Sequence, residues 1–182
     1  VSVLKTVSYQ NTIENIYRVD KSTGLNSAEY LYGKGKRTID KYAQSTICMF
    51  TITNIEEINK VFGRDVGTKT IIDVSNIVKT SISAQYVFVR YMGPKFAIAF
   101  SGVDLEGVEE FVKAVKSEIE AINIKKKQKT KNKKTKKQIY AHPRTNFILA
   151  TYYKGTGLEE VTKKLEEYLD DADKTESNIN CI

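Results

Sequence analysis

Apolar and polar positions along this chain follow two patterns, and the first of them predicts β-strands. Residues 46–53 read TICMFTIT, a run of apolar and β-branched residues that is too short for a helix and is bounded by polar residues. Such a run is typical of a central strand that is buried on both faces. Residues 89–100 hold two shorter runs around a turn, and residues 137–141 and 144–152 have the same character. The first pattern therefore predicts about five strands, two of which form a β-hairpin.

The second pattern places apolar residues three and four positions apart, and it predicts helices between the strands. The clearest case is residues 54–62, where Gly63 is suited to a C-cap. Helices are predicted at residues 11–18, 26–43, 54–62, 66–81, 105–122 and 157–173. Because single strands and a hairpin alternate with helices, we expect an α/β (α+β) fold of ferredoxin-like type, with a mixed central sheet flanked by helices.

Length and composition favour one domain. A chain of 182 residues with 41% hydrophobic residues can bury one substantial core but not two. We assign residues 1–15 to a lead-in segment and residues 16–182 to the domain. The chain starts at Val1, and its only methionines are Met49 and Met92. We therefore expect it to be a piece of a longer protein.

Neither a membrane span nor a secretory leader is predicted. The sequence has no apolar run of about 18 residues and no charged segment followed by an apolar one at its start. Its two cysteines, Cys48 and Cys181, form neither a metal-binding spacing nor a disulfide framework. A cytoplasmic location is predicted, which includes the cytoplasmic part of a membrane-anchored protein.

The net charge of +7 comes from one segment. Residues 124–137 hold nine of the 29 basic residues and no acid, so the rest of the chain has 20 basic and 22 acidic residues. A solvated basic loop inserted into the domain is the simplest interpretation. The alternative is weak contact with an anionic membrane or other anionic surface. That contact would use Lys125, Lys126, Lys127, Lys129, Lys131, Lys133, Lys134, Lys136 and Lys137. Since the segment has no aromatic residue or arginine for base stacking, a specific nucleic-acid site is not expected.

Four segments resemble, in the same order, the motifs of the GGDEF domains of bacterial diguanylate cyclases. Residues 20–25, DKSTGL, resemble the family's D-x-L-T-G-L, and residues 51–68 match D-x-D-x-F-K-x-x-N-D-x-x-G-H-x-x-G-D without gaps. Residues 90–96, RYMGPKF, match the signature R-Y-G-G-D/E-E-F, and residues 172–178 resemble A-K-x-x-G-x-N. The resemblance implies the palm-like fold of nucleotidyl cyclases, with the signature at a hairpin tip.

The same resemblance implies that the family's metal site is lost. Its ligands are the first aspartate of D-x-D, the neighbouring backbone carbonyl and an acid of the signature, which correspond here to Thr51, Ile52 and Pro94. Thr53 replaces the second aspartate, and Lys95 replaces the second signature acid. Because divalent metals on phosphates need anionic oxygen ligands, we predict no bound metal or cofactor and no cyclase activity.

The resemblance also implies that this chain has fewer nucleotide contacts than the family. Asn59 occupies the position of the guanine-binding asparagine, while Thr68 replaces the guanine-reading aspartate. Two family lysines are replaced by Glu56 and Asp173, and the inhibitory R-x-x-D is replaced by Ser83 and Tyr86. Asn59 is thus a candidate nucleotide contact, although a residue near the end of a short helix commonly has only a structural role.

The predicted function is that of a non-catalytic, GGDEF-like signalling or regulatory module of a larger bacterial protein linked to cyclic di-GMP. One alternative is a domain that senses a purine nucleotide through Asn59 and Lys95 without chemistry. Another is an anionic-surface adaptor that acts through the lysine-rich segment. The implied partners are a sensor or phosphodiesterase domain of the same polypeptide, and a second GGDEF-like protomer.

Overall fold

The structure, a computed structural model, describes residues 17–131, 134–172 and 176–182, and within them the chain forms eight strands and five helices. The strands are β1 (Asn26–Ser27), β2 (Gln44–Ile52), β3 (Val87–Arg90), β4 (Lys95–Ser101), β5 (Ile124–Lys129), β6 (Lys136–Ala141), β7 (Thr145–Tyr153) and β8 (Ile179–Cys181). The helices are α1 (Ala28–Tyr30, continued by a π-helical turn at Leu31–Gly35 and by Lys36–Ile39), α2 (Ile55–Phe62), α3 (Arg64–Ser81), α4 (Leu105–Glu120) and α5 (Leu158–Asp171).

The main sheet has six strands in the order β1-β3-β4-β2-β7-β8. β1 runs parallel to β3 and β8 runs parallel to β7, whereas the other neighbours are antiparallel. The predicted mixed sheet with a β-hairpin is therefore confirmed. The sheet holds four of the five predicted strands and two short edge strands, of two and three residues, while the strand predicted at residues 137–141 lies in a separate two-stranded sheet.

Strand β2 lies at the centre of the sheet and separates two hydrophobic cores. Cys48, Phe50 and Ile52 pack on one face with apolar residues of α2, α3 and α4. Ile47 and Met49 pack on the other face with residues of α1 and α5. Successive side chains of a strand point to opposite faces, so an uninterrupted apolar run is required where both faces are covered. This arrangement explains the TICMFTIT pattern and buries Cys48 in the core.

The two glycines of α1 allow the helix to pack closely. A β-carbon on Gly35 would lie 2.9 Å from the carbonyl oxygen of Tyr30 and 3.1 Å from a methyl group of Val87. The ring of Tyr17 lies directly against Gly33. Glycine lowers helix propensity, but here it permits contacts that a side chain would block. The predicted helix is thus present, with a π-helical turn over these glycines.

The prediction of a basic loop at residues 124–137 is wrong for most of that segment. β5 and β6 pair in antiparallel register and form a separate two-stranded sheet, from Ile124 opposite Ala141 to Lys129 opposite Lys136. Ile124 is buried, and Ile139 packs against the core that includes α2. These apolar anchors explain why a strongly charged segment takes up an ordered extended conformation.

Several sequence predictions fall outside the described residues. These are the lead-in segment 1–15, most of the predicted helix at residues 11–18, and the side chains of Lys133 and Asp173. Across the part of the chain that the structure describes, no helix combines the length and apolar character needed to cross a bilayer.

Candidate functional site

The hairpin between β3 and β4 keeps the shape that its sequence predicts. The backbone N–H of Tyr91 donates to the Lys95 carbonyl at 2.9 Å, and Arg90 Nε donates to the Gly93 carbonyl at 3.0 Å. Gly93 has a φ of 61°, which favours glycine. At the tip's base, the Ile52 N–H donates to the Pro94 carbonyl at 3.2 Å, which ties the turn to β2. The turn is therefore closed by the backbone and by one arginine, without any carboxylate.

Arg90 also connects the hairpin to the segment before β1. Its guanidinium donates to Asp20 Oδ2 at 2.8 Å and to Ser22 Oγ at 2.9 Å. The same Asp20 oxygen accepts from the Thr23 N–H at 2.9 Å and from the Ser22 hydroxyl at 2.8 Å. Partial burial alone would raise the pKa of Asp20, but hydrogen bonds from Thr23, Arg90 and Ser22 outweigh burial and hold that pKa well below its usual range. The DKSTGL segment thus holds the signature hairpin in place through its hydrogen bonds with Arg90.

A cleft of about 190 Å³ lies beside the hairpin and gathers the positions that the family uses for metal binding. Thr51, Ile52, Thr53 and Pro94 all line it. The remaining lining residues come from α2, β7 and the end of α5: Ile55, Glu56, Asn146, Leu169, Asp170 and Ala172. The structure therefore brings the predicted positions together. Thr51, Thr53 and Pro94, the positions at which the resemblance predicts lost acids, thus share one wall.

Lys95 does not line this cleft. Its ammonium group donates to Asp170 Oδ1 at 2.9 Å and to Glu166 Oε1 at 3.3 Å, and only 16% of its side chain is exposed. Both acids belong to α5, one turn apart on the same side of the helix. The lysine thus fastens the hairpin tip to α5.

A chain of hydroxyl groups makes a second contact between the hairpin and the helices on that face. The Tyr91 hydroxyl lies 2.9 Å from the Tyr32 hydroxyl, which lies 2.6 Å from Thr162 Oγ1 on α5. Burial, and then the hydrogen bond with Tyr32, raise the pKa of Tyr91 well above its usual range. Tyr91 is therefore neutral at any physiological pH, and its hydroxyl links the hairpin to α5 through Tyr32.

Asn146 is a polar residue of the cleft that the sequence did not single out. It is fully buried on β7, opposite Thr51 in the β2–β7 ladder. Among the described residues, neither its amide nitrogen nor its amide oxygen has a hydrogen-bond partner. A buried polar group without a partner costs about 1–3 kcal/mol. Asn146 therefore places an unsatisfied amide in a cleft wall that also holds the charged residues Glu56 and Asp170.

We expect Asn146→Leu to raise the free energy of unfolding by about 1–2 kcal/mol, because a side chain of similar size would replace an unpaired amide. Asn54→Leu is the matched control. The Asn54 amide donates to the His142 carbonyl and accepts from the Arg144 N–H, each at 2.8 Å. Removing this amide should therefore lower the free energy of unfolding by about 1–2 kcal/mol. Urea unfolding measures both changes. A similar loss in both variants would show that the Asn146 amide is partnered in solution.

Asn59, the candidate nucleotide contact, lies at the junction of α2 and α3. Its side chain sits over Gly67 so closely that any β-carbon there would clash with the amide oxygen. Within the described part of the chain, no hydrogen bond of the Asn59 amide is seen, and Thr68 is exposed nearby in sequence. Neither Asn59 nor Lys95 lines the cleft at the metal positions. Joint binding of a nucleotide at that cleft would require both residues to lie there, and the structure does not bring them together.

The positions of the family's inhibitory motif lie elsewhere. Ser83 and Tyr86 line a separate cleft of about 430 Å³, between the end of α3 and the start of α1, together with Lys79 and Asn26. Lys79 Nζ donates to the Thr23 carbonyl. Over residues 17–131, 134–172 and 176–182, no cluster of three or more histidine, cysteine, aspartate or glutamate residues is arranged to hold a metal ion.

Comparisons with known proteins match most of the chain to one family. Residues 17–178 match the family described as "Diguanylate cyclase, GGDEF domain". The chain is 24% identical over 94 residues to the uncharacterized protein YtrP of Bacillus subtilis (strain 168), a match that spans 52% of this chain but only 16% of that protein.

Solved structures show the same fold. The coiled coil and GGDEF domain of DgcB from Caulobacter crescentus, solved in complex with c-di-GMP, superimposes with a TM-score of 0.76 at 13% identity, covering 100% of this chain and 94% of that one. The S helix-GGDEF-EAL segment of Vibrio cholerae LapD, bound to c-di-GMP, gives a TM-score of 0.69 at 13% identity, covering 100% of this chain and 40% of that one.

Proposed function

Because this chain belongs to the diguanylate cyclase GGDEF domain family, we propose that it is a non-catalytic signalling module of a larger bacterial protein, linked to cyclic di-GMP. The observation that carries the proposal is the composition of the cleft at the family's metal positions. Thr51 and Pro94 stand where the family has acidic ligands, so only the Ile52 carbonyl matches a family ligand.

The chemistry of phosphoryl transfer supports the absence of turnover. Metal ions that bridge the phosphates neutralise the charge that develops during transfer, and they are held by carboxylates. Threonine hydroxyls are neutral and weak substitutes. Asp170 also lines the cleft, but the Lys95 ammonium group lies 2.9 Å from one of its oxygens and competes with any metal for it. The carboxylates that do line this wall, Glu56 and Asp170, stand outside the family's ligand positions, and Lys95 neutralises one of them.

The ion pairs of Lys95 suggest how the domain would transmit a signal. They join the signature hairpin to α5, while Arg90 joins the hairpin to the segment before β1. These contacts make the hairpin a junction between the two ends of the domain. We propose that its partners are other domains of the same polypeptide, of sensor or phosphodiesterase type, or a second GGDEF-like protomer.

Incubation of the purified chain with GTP and Mg²⁺ or Mn²⁺, followed by chromatography, is expected to yield no cyclic di-GMP above a protein-free blank. An active diguanylate cyclase assayed in parallel is the positive control. Sustained formation of cyclic di-GMP, abolished by boiling the chain, would overturn the proposal.

A purine-nucleotide sensor is the second candidate function. Its support is the Asn59 amide, for which the described residues provide no hydrogen-bond partner. Calorimetric titration with GTP, ATP and cyclic di-GMP separates the two candidates. A sensor shows saturable binding that Asn59→Ala abolishes, whereas the signalling module gives no heat with any of the three.

A further inference from the structure

The β5–β6 ribbon, defined here as strands Ile124–Lys129 and Lys136–Ala141, has two different faces. Residues directly opposite in an antiparallel pair share a face, and faces alternate along each strand. One face carries Ile124 and Ile139, which pack against the core, and Lys126, whose ammonium group donates to the Val61 carbonyl at 3.2 Å. This face holds the ribbon against α2.

The opposite face carries the basic surface. The register pairs Lys125 with Tyr140, Lys127 with Gln138, and Lys129 with Lys136, which places all six on one side. All are exposed, and Tyr140 is 57% exposed. In the described residues, no carboxylate forms an ion pair with any of these four lysines. We call this set the basic face.

The basic face works against folding of the ribbon. Lysine is depleted in strands, and Lys129 directly opposite Lys136 is a repulsive pair. The strands are about 20 Å long, so neighbouring charges lie within or near one Debye length and act together on a large anion. The basic face thus costs stability, and its lysines form no ion pairs among the described residues. An anionic partner that covers this face would explain why it is present.

From this geometry we infer that the basic face docks the domain on an anionic lipid bilayer. Lysine ammonium groups are compact charges that suit lipid phosphates, and a juxtamembrane lysine cluster is attracted to an acidic leaflet. The exposed Tyr140 at one end of the face has an apolar ring and a polar hydroxyl, the combination favoured at a membrane interface. A nucleic acid is the less favoured polyanion, because the ribbon has no arginine for base recognition and the face has one aromatic residue for stacking.

The test is co-sedimentation of the purified chain with vesicles of phosphatidylcholine alone or with about 30% phosphatidylglycerol. We expect binding to the anionic vesicles only, and its loss in 0.5 M salt because of charge screening. Changing Lys125, Lys127, Lys129 and Lys136 to glutamine should lower the partition coefficient by at least about 100-fold.

A matched variant controls for net charge. Lys41, Lys60, Lys163 and Lys164 are exposed and lie outside the ribbon, so changing these four to glutamine removes the same charge and should lower binding by less than about threefold. Unfolding midpoints of both variants verify the fold. Equal binding to both vesicle types, or equal loss in both variants, would overturn the inference. Tighter binding to a single-stranded oligonucleotide at the same phosphate concentration would reassign the face to nucleic acid.

Discussion

Replacing Phe50 with alanine is expected to lower the free energy of unfolding by about 3–5 kcal/mol. Phe50 is fully buried in the central strand. It lies opposite Phe96 in the β2–β4 ladder and opposite Phe147 in the β2–β7 ladder, with ring centroids 5.1 and 4.6 Å away in stacked geometry. Removing the middle ring would leave a cavity under three strands and also remove two aromatic contacts.

Urea unfolding at pH 7, followed by circular dichroism, measures this loss. Phe111→Ala is the matched control, because Phe111 lies on the half-buried side of α4 and has one close ring neighbour, Phe100, at 5.4 Å. The Phe111→Ala variant should lose about 1–2 kcal/mol of unfolding free energy, because solvent can fill much of the space that the ring leaves. A Phe50→Ala variant no less stable than the Phe111→Ala variant would contradict the central place of this stack.

The second large effect is expected at Asp20, where Asp20→Asn should lower the stability at pH 7 by about 2–3 kcal/mol. The carboxylate accepts hydrogen bonds from Arg90, Ser22 and Thr23 that an amide cannot all replace. Asp73→Asn is the control, because Asp73 pairs with Lys69 on the surface of α3 and such pairs contribute about 0–1 kcal/mol.

The effect of Asp20 should depend on pH with a defined sign. The pKa of Asp20 is lower in the folded protein than in the unfolded chain, where an aspartate has a pKa of about 3.9. On acidification the unfolded chain therefore takes up this proton first, and the stabilisation from Asp20 is complete above about pH 5 and declines as the pH falls toward the folded pKa. Unfolding should show the same stability gap between wild type and Asp20→Asn at pH 7 and pH 5 and a smaller gap at pH 3. A constant gap would mean that the charge of Asp20 is not involved.

Much of the fold follows from the sequence, because burial leaves a periodic pattern. β2, α2, α3 and α4 appear within a few residues of their predicted bounds. The hairpin tip is equally predictable from the sequence, since Arg90, Gly93 and Pro94 fix its turn locally. The grouping of Thr51 and Pro94 beside one cleft was also predictable, because the resemblance implied that both belong to one metal site.

Features that depend on residues far apart in the chain leave no local signal in the sequence. Lys95 on its own suggests a free charge at a loop, and only the packing of α5 shows that Asp170 neutralises it. Asn146 lies inside an apolar strand pattern, and its missing partners become visible only when the neighbouring strands are in place. Of the ribbon, only the strand at residues 137–141 was predicted, because the lysines of β5 conceal an alternation anchored by Ile124.

The position of β7 beside β2 has a consequence for synthesis of the protein on the ribosome. Three helices and four strands of the described chain lie between these two partners, although they form the longest ladder of the sheet. The nascent chain can form the β3–β4 hairpin early, but β2 keeps one unpaired edge until Tyr153 has left the exit tunnel. Non-local pairing of this kind folds slowly and exposes strand edges meanwhile. Slower translation through residues 105–145 would therefore prolong the interval in which the nascent domain needs protection by a chaperone.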